Sequence, residues 1–242
     1  MKILGIDTST SCGSIGLIDD GSVISEYLLN TALTHSERLL RSIEYVLNQG
    51  GCAIEDLGGW ALSLGPGSFT GLRIGVSTIK GLAFASQKPV AGVPTLDALA
   101  ANISPTPCLI CPILDARKGE LYTACYRYEG GDILKRLTAY EAIRPEDLAR
   151  KIEEKTIFLG SGVKSHGDTL RKAIPALATF VPDPFNLPWG SVVARLGLDQ
   201  FRRNDVLDLP TFTPIYVRAS EAEIKWKEKL SNCHDGSVTR EP

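Results

Sequence analysis

Twice along the chain an apolar strand runs into an aspartate: KILGID ends at Asp7 and CLICPILD ends at Asp115. The same order of elements follows each. In the first half, GSIGLIDDG and SVISEYLL read as two further strands joined at Asp20-Gly21, a strong hairpin signal. A helix follows from about Thr34 to Asn48, where Leu39, Leu40, Ile43, Val46 and Leu47 recur at helical spacing and Glu37, Arg38, Arg41 and Glu44 fall away from them. A strand around Trp60, a glycine-rich loop, a second helix, a short strand near Val90 and a helix from Thr95 to Asn102 complete this half. After SPTPC (104–108), which reads as a linker, three more strands are expected, with Gly130-Gly131 at the second hairpin. RPEDLARKI, TIFLGSG, VKSHGDTLRKAI, ATFVP and SVVARLGLDQFRR then alternate helix and strand. The pattern predicts an α/β protein made from a duplicated βββαβαβα unit, with lobes at 1–105 and 106–218. The charged tail, 219–242, shows little apolar periodicity beyond a short helix around Trp226.

Composition narrows the function. A net charge of −2 over 242 residues argues against a chain that grips nucleic acid by itself, because such chains carry a basic surplus or a long basic run. MKILGID is too short for a signal-peptide core, and no apolar run approaches a membrane span. The six cysteines are scattered, and without an export signal they read as reduced thiols in cytoplasm. Cys108 and Cys111 form a CxxC inside an apolar strand, with no second pair to complete a zinc site.

The stretch GPGSFTGLRIG (65–75) lies between strand and helix, where backbone N–H groups can hold phosphate. It fails as a Walker loop, because Leu72 stands where a lysine must follow the last glycine. It fails as a dinucleotide fingerprint, because Gly65, Gly67 and Gly71 give GxGxxxG. A generic anion site stays open, with Ser68, Thr70 and Arg73 as donors. On the helix itself Leu72, Val76, Ile79 and Ala83 form one stripe, and Gly71, Gly75, Thr78 and Leu82 form a second beside it. Glycines at 71, 75 and 81 each cost about 1 kcal/mol relative to alanine, and close approach of another helix would offset that. The expectation is therefore docking: Gly71 and Gly75 admit a partner helix.

His35, in THSERL, has Leu39 one helical turn on, so the pair cannot hold a metal; Thr34 and Glu37 read instead as a capping box. DTSTSCGSIGL (7–17) is a hydroxyl-rich turn in which Asp7 and Ser9 could touch a phosphate or a metal-bound water. DARKGELY (115–122) holds the matching place in the second half. Neither has a general base beside it.

GPGSFTGLRIG, ILGIDTST, THSE, DARKGELY and the late PIYVR (214–218) together resemble the TsaB (YeaZ) family, from Met1 to about Arg218. The resemblance implies an actin-like ATPase (ASKHA) fold of two RNase-H-like lobes. It implies a non-catalytic cytoplasmic adaptor for threonylcarbamoyladenosine synthesis on tRNA, forming a heterodimer with the catalytic paralogue TsaD and cooperating with the ATPase TsaE. tRNA would be met through the complex, and the isolated subunit could form a homodimer. The interface implied draws on both helices: Ser36, Leu39, Leu40 and Ile43 of the first, and Gly71, Leu72, Gly75, Val76, Thr78, Ile79 and Leu82 of the second. No metal or resident cofactor is expected, with weak ATP or ADP binding left open at Asp7, Ser9, Ser68, Thr70 and Arg73. The alternative is an independent actin-like ATPase, a sugar kinase or a metallopeptidase-like enzyme.

Overall fold

Alternation of β-branched and aliphatic residues with small ones makes the first strand two-faced. In the computed structural model, which describes residues 1–31 and 34–218, Leu4 and Ile6 of β1 (Lys2–Asp7) enter one apolar cluster while Ile3 enters another across the sheet. β1 pairs antiparallel with β2 (Gly13–Asp19), which pairs antiparallel with β3 (Ser22–Leu29). The turn between β2 and β3 is Asp20-Gly21, both at positive φ, as the hairpin signal predicts. Then come α1 (His35–Gln49), β4 (Leu57–Gly65), α2 (Phe69–Ser86), β5 (Val90–Pro94) and α3 (Thr95–Ala100). β4 and β5 run parallel to β1, giving a sheet of order β3-β2-β1-β4-β5.

The second half repeats this. β6 (Leu109–Arg117) pairs antiparallel with β7 (Glu120–Thr123). β8 (Tyr126–Glu129) and β9 (Ile133–Arg136) form the hairpin at Gly130-Gly131, and β10 (Glu141–Ile143) pairs with β7. α4 (Pro145–Lys151), β11 (Thr156–Leu159), α5 (Gly162–Ala173), β12 (Ala178–Phe180) and α6 (Gly190–Arg202) follow. The path β10-β7-β6-β11-β12 matches the first sheet strand for strand, with Asp7 and Asp115 near the ends of the equivalent central strands. Five strands stand where three are expected, because the chain breaks at Ala124-Cys125 and the β8–β9 hairpin attaches to β6 through Ile110 and Tyr126.

Helices α1 and α2 cover one face of the first sheet, burying Leu39, Ile43, Val46, Val76 and Ile79 against Leu4, Ile6, Ile15 and Leu62. Burial on this scale contributes roughly 1.5–3 kcal/mol for each large aliphatic side chain. The opposite face is covered by α3 and by α6, whose Val193, Ala194 and Leu198 pack on Ile3, Ile18, Ala61 and Ala91. By chain order α6 falls in 106–218, the span expected to form the second lobe, yet it lies on the first sheet. The contact is backbone to backbone. A Cβ on Gly5 would sit 2.1 Å from the Gly190 carbonyl oxygen, and one on Gly16 would sit 2.0 Å from the Ser191 nitrogen. Glu26 of β3 seals the junction, accepting from the Gly190 N–H at 3.0 Å and the Ser191 N–H at 2.8 Å. After α6 the chain stays with the first lobe: the Leu207 N–H bonds the Val90 carbonyl and the Ile215 N–H bonds the Leu64 carbonyl. The expected helix around Trp226 and the tail 219–242 lie outside the described residues.

Candidate functional site: the helix pair and the inter-lobe cleft

The glycine-rich stretch builds a turn into α2. Ser68 caps the helix, its hydroxyl accepting from the Gly71 N–H at 3.2 Å. The two helical glycines then do something other than expected. A Cβ on Gly71 would meet the Thr8 carbonyl oxygen at 2.1 Å, and one on Gly75 would meet the Thr8 hydroxyl at 2.4 Å. Both positions are filled by the chain's own β1–β2 turn, which leaves no space there for a partner helix. Leu39, Ile43, Leu72, Val76 and Ile79 are likewise buried in this chain's core. Of the eleven residues expected at an interface, Ser36, Leu40, Thr78 and Leu82 remain accessible. The cause is simple: a stripe that packs on its own sheet has the same periodicity as one that packs on a neighbour.

The outward face of α2 is uncharged and open. Ile74, Ser77, Thr78, Gly81, Phe84 and Ala85 lie along it, with Phe84 69% exposed and nothing within 4 Å of a Cβ on Gly81. Beside it α1 presents Leu40, 59% exposed. Phe84 had a legible signal, an aromatic residue off both apolar stripes.

On α1, Glu37 reaches back to the Thr34 N–H at 2.8 Å, the reciprocal half of the capping box. Arg38, expected on the solvent side, is 6% exposed. It turns inward because carbonyls await it: it donates to Leu29 and Ser11, both at 2.7 Å. His35 lies beside it, with Nε2 donating to the Thr10 carbonyl at 2.7 Å and Nδ1 facing Arg38. Burial, joined by the Arg38 charge, holds the imidazole below its ordinary pKa.

The candidate anion residues do not converge. Asp7 is fully buried and is engaged by Ser9, whose N–H and hydroxyl donate to it at 2.9 Å. Burial pushes its carboxyl up to about 6 against these donors. Arg73 is committed elsewhere, with Nε on the Tyr216 hydroxyl at 3.1 Å and its guanidinium 3.9 Å above the Phe69 ring. Ser9, Ser68 and Thr70 do line a cleft of about 1220 Å³ between the lobes, together with Arg38, Asp115, Arg117 and Lys164. Among the described residues no three His, Cys, Asp or Glu side chains gather as metal ligands. Five cysteines there are free thiols, Cys233 lying outside the described residues. No described helix is long and apolar enough to cross a membrane.

Two equivalent sheets flanking a cleft define the actin-like ATPase fold. The (R)-2-hydroxyglutaryl-CoA dehydratase component A of Acidaminococcus fermentans shares it with a TM-score of 0.50, at 12% identity over 83% of this chain and 98% of that one, a likeness of fold alone. Within that class, the family described as TsaD, tRNA N6-adenosine threonylcarbamoyltransferase, matches residues 24–226. The tRNA threonylcarbamoyladenosine biosynthesis protein TsaB of Bacillus subtilis is 33% identical over 94% of this chain and 99% of its own length. Its Escherichia coli namesake is 27% identical over 94% and 98%. The structure of YeaZ from Pseudomonas aeruginosa superposes with a TM-score of 0.74, at 26% identity over 89% of this chain and 99% of that one. The chain belongs to the TsaB (YeaZ) family.

Proposed function

We propose that this chain is a non-catalytic subunit that binds and activates TsaD for transfer of the threonylcarbamoyl group to the adenosine beside the tRNA anticodon. The observation that carries the reading is the open outer face of α2, where Phe84 and Gly81 are exposed, together with the exposed Leu40 on the neighbouring α1. Aromatic residues are enriched where proteins meet, and the open backbone at Gly81 gives a partner room to approach the ring. The match of residues 24–226 to the TsaD family supports a partner of related fold, so that one helix pair would meet another. Leu39 stands one turn after His35 and Asp7 is sealed behind Ser9, which argues against an independent metallopeptidase or kinase. TsaE and tRNA would join through the complex, in the cytoplasm, and the same face would serve a homodimer when TsaD is absent.

The test is a binding titration of the full chain against TsaD, followed by a tRNA modification assay. Phe84→Asp and Gly81→Arg should each weaken association tenfold or more, about 1.4 kcal/mol, while melting stays near wild type. Unchanged affinity in well-folded variants, or transfer by this chain alone, would overturn the proposal.

A further inference from the structure

Strand register brings two of the free thiols together. β6 pairs with β7 as Ile113↔Thr123 and Leu114↔Tyr122, and with β8 as Ile110↔Tyr126. The alignment is the same on both sides of the break at Ala124-Cys125, so Cys111 stands directly opposite Cys125. Both main-chain groups of Cys125 turn away from β6: its N–H donates to the Thr138 hydroxyl at 2.9 Å, and its carbonyl accepts from the Leu137 N–H at 2.7 Å. The pair is thus of the non-hydrogen-bonded kind, in which opposed Cα atoms approach to about 4.5 Å. That lies inside the span of about 4.4–6.8 Å that a disulfide bridges. Both side chains enter the apolar cluster built on Ile113, Leu148 and Phe158, and the two thiols share a hydrogen bond. Cys111 is fully buried, with Sγ 3.1 Å from the Thr123 hydroxyl, whereas Cys125 is only partly covered.

We propose that Cys111 and Cys125 are a peroxide-sensitive thiol pair that closes to a reversible disulfide across the second sheet. Cys125 acts first. The hydrogen bond from Cys111 holds its thiol below the ordinary range, with burial and Glu141 opposing and the Thr138 hydroxyl and Lys151 assisting. A partly exposed thiol of lowered pKa beside a second cysteine is the arrangement that oxidants select. Its sulfur attacks one peroxide oxygen, the O–O bond breaks, and the departing hydroxide takes the Cys125 proton as water. The sulfur of Cys111 then attacks the sulfur of the resulting sulfenic acid. The S–O bond breaks, and the second hydroxide leaves as water with the Cys111 proton. Two thiols thereby lose two electrons, and one peroxide becomes two waters. Cys111 acts second because its hydrogen bond with Cys125 and its burial hold its proton well above the ordinary thiol range, and because a fully buried sulfur is closed to the oxidant. Neither cysteine lies on α1 or α2, so the pair stands or falls separately from the docking face.

The experiment oxidises the folded full chain with hydrogen peroxide, blocks the remaining thiols by alkylation and maps disulfides by mass spectrometry. Trypsin serves for the digest, since it cuts at Arg117 and Lys118 between the two cysteines. The expected product is an intramolecular Cys111–Cys125 link with unchanged circular dichroism and a melting temperature several degrees above that of the reduced chain. Dithiothreitol should reverse both the link and the shift. Cys125→Ser should abolish them, and in Cys111→Ala the oxidation of Cys125 should stop at the sulfenic acid, captured by dimedone. If the buried alanine variant fails to fold, dimedone added with the peroxide to the wild-type chain makes the same capture at Cys125 in competition with closure. Both thiols still free after an excess of peroxide, a Cys108–Cys111 link in place of the expected one, or a Cys111–Cys125 link formed only in urea overturns the pair.

Discussion

The Thr8 hydroxyl donates to the carbonyl of Gly71 at 2.8 Å, tying the β1–β2 turn to the first turn of α2. This bond joins residues 63 positions apart and fixes the helix against the sheet end at which Asp7 lies. It exists because Gly71 and Gly75 bring the helix backbone within reach. Gly71→Ala should therefore lower stability by about 1–3 kcal/mol through overpacking, despite alanine's better helix propensity, since the atom in its way is a backbone oxygen. Gly75→Ala should displace the Thr8 hydroxyl and cost a similar amount. Urea denaturation measures both, and wild-type midpoints with wild-type slopes would contradict this packing.

Gly81 offers the opposite case on the same helix. A Cβ there meets nothing, so Gly81→Ala should stabilise the isolated chain by up to about 1 kcal/mol. In a chain of this size that raises the melting temperature by roughly 2–4 °C. The added methyl lies on the proposed docking face, so affinity for TsaD should fall as stability rises. Movement of both quantities in the same direction would separate Gly81 from the contact.

Asp7 makes stability depend on pH with a definite sign. Its folded-state pKa is about 6 against an ordinary 3.8, so the folded chain holds this proton more tightly than the unfolded chain does. The group's contribution falls as pH rises from about 4 through 6, and the cost then stays constant above that window. A gap of about two pH units corresponds to up to about 3 kcal/mol. Asp7→Asn should raise unfolding free energy at pH 7.5 and lose that advantage near pH 4, as denaturant titrations at the two pH values would reveal. An asparagine variant that is less stable at pH 7.5 would mean that the charged bonds from Ser9 outweigh burial.

Glu26 should matter more for α6 than for its own strand. Glu26→Ala strips the acceptor from the Ser191 N–H and from the Ser14 hydroxyl, and leaves the Gly190 N–H with Ser14 Oγ alone. Leaving buried donors unmatched costs roughly 1–3 kcal/mol each, so a loss of about 2–4 kcal/mol is expected. Amide hydrogen exchange locates the damage: protection should fall first along Gly190–Arg202, and uniform loss across both sheets would contradict a local role.

Periodicity made the repeated strand order and the first hairpin readable, because Asp20-Gly21 and the alternation of β1 are local signals. What α6 covers was not readable, since an amphipathic helix looks the same whichever sheet receives it. Arg38 and Leu40 show a subtler limit. The apolar stripe of α1 places Leu40 inside and Arg38 outside, and the structure exchanges them, because the carbonyls of Leu29 and Ser11 compete successfully for the guanidinium. The glycine-rich helix was recognisable as a close contact, but its partner was Thr8 rather than another protein.

The return of α6 to the first sheet also sets an order of events on the ribosome. One face of the N-terminal sheet, including Ile3, Ile18, Ala61 and Ala91, gains its cover from a helix that begins at Gly190. Domains that fold as they are synthesised complete their N-terminal part first; here that part must wait for most of the chain to emerge. The two halves of the repeat are thus neither separable fragments nor interchangeable modules. A truncation at the linker would leave a sheet with an oily back and no helix to come that could cover it.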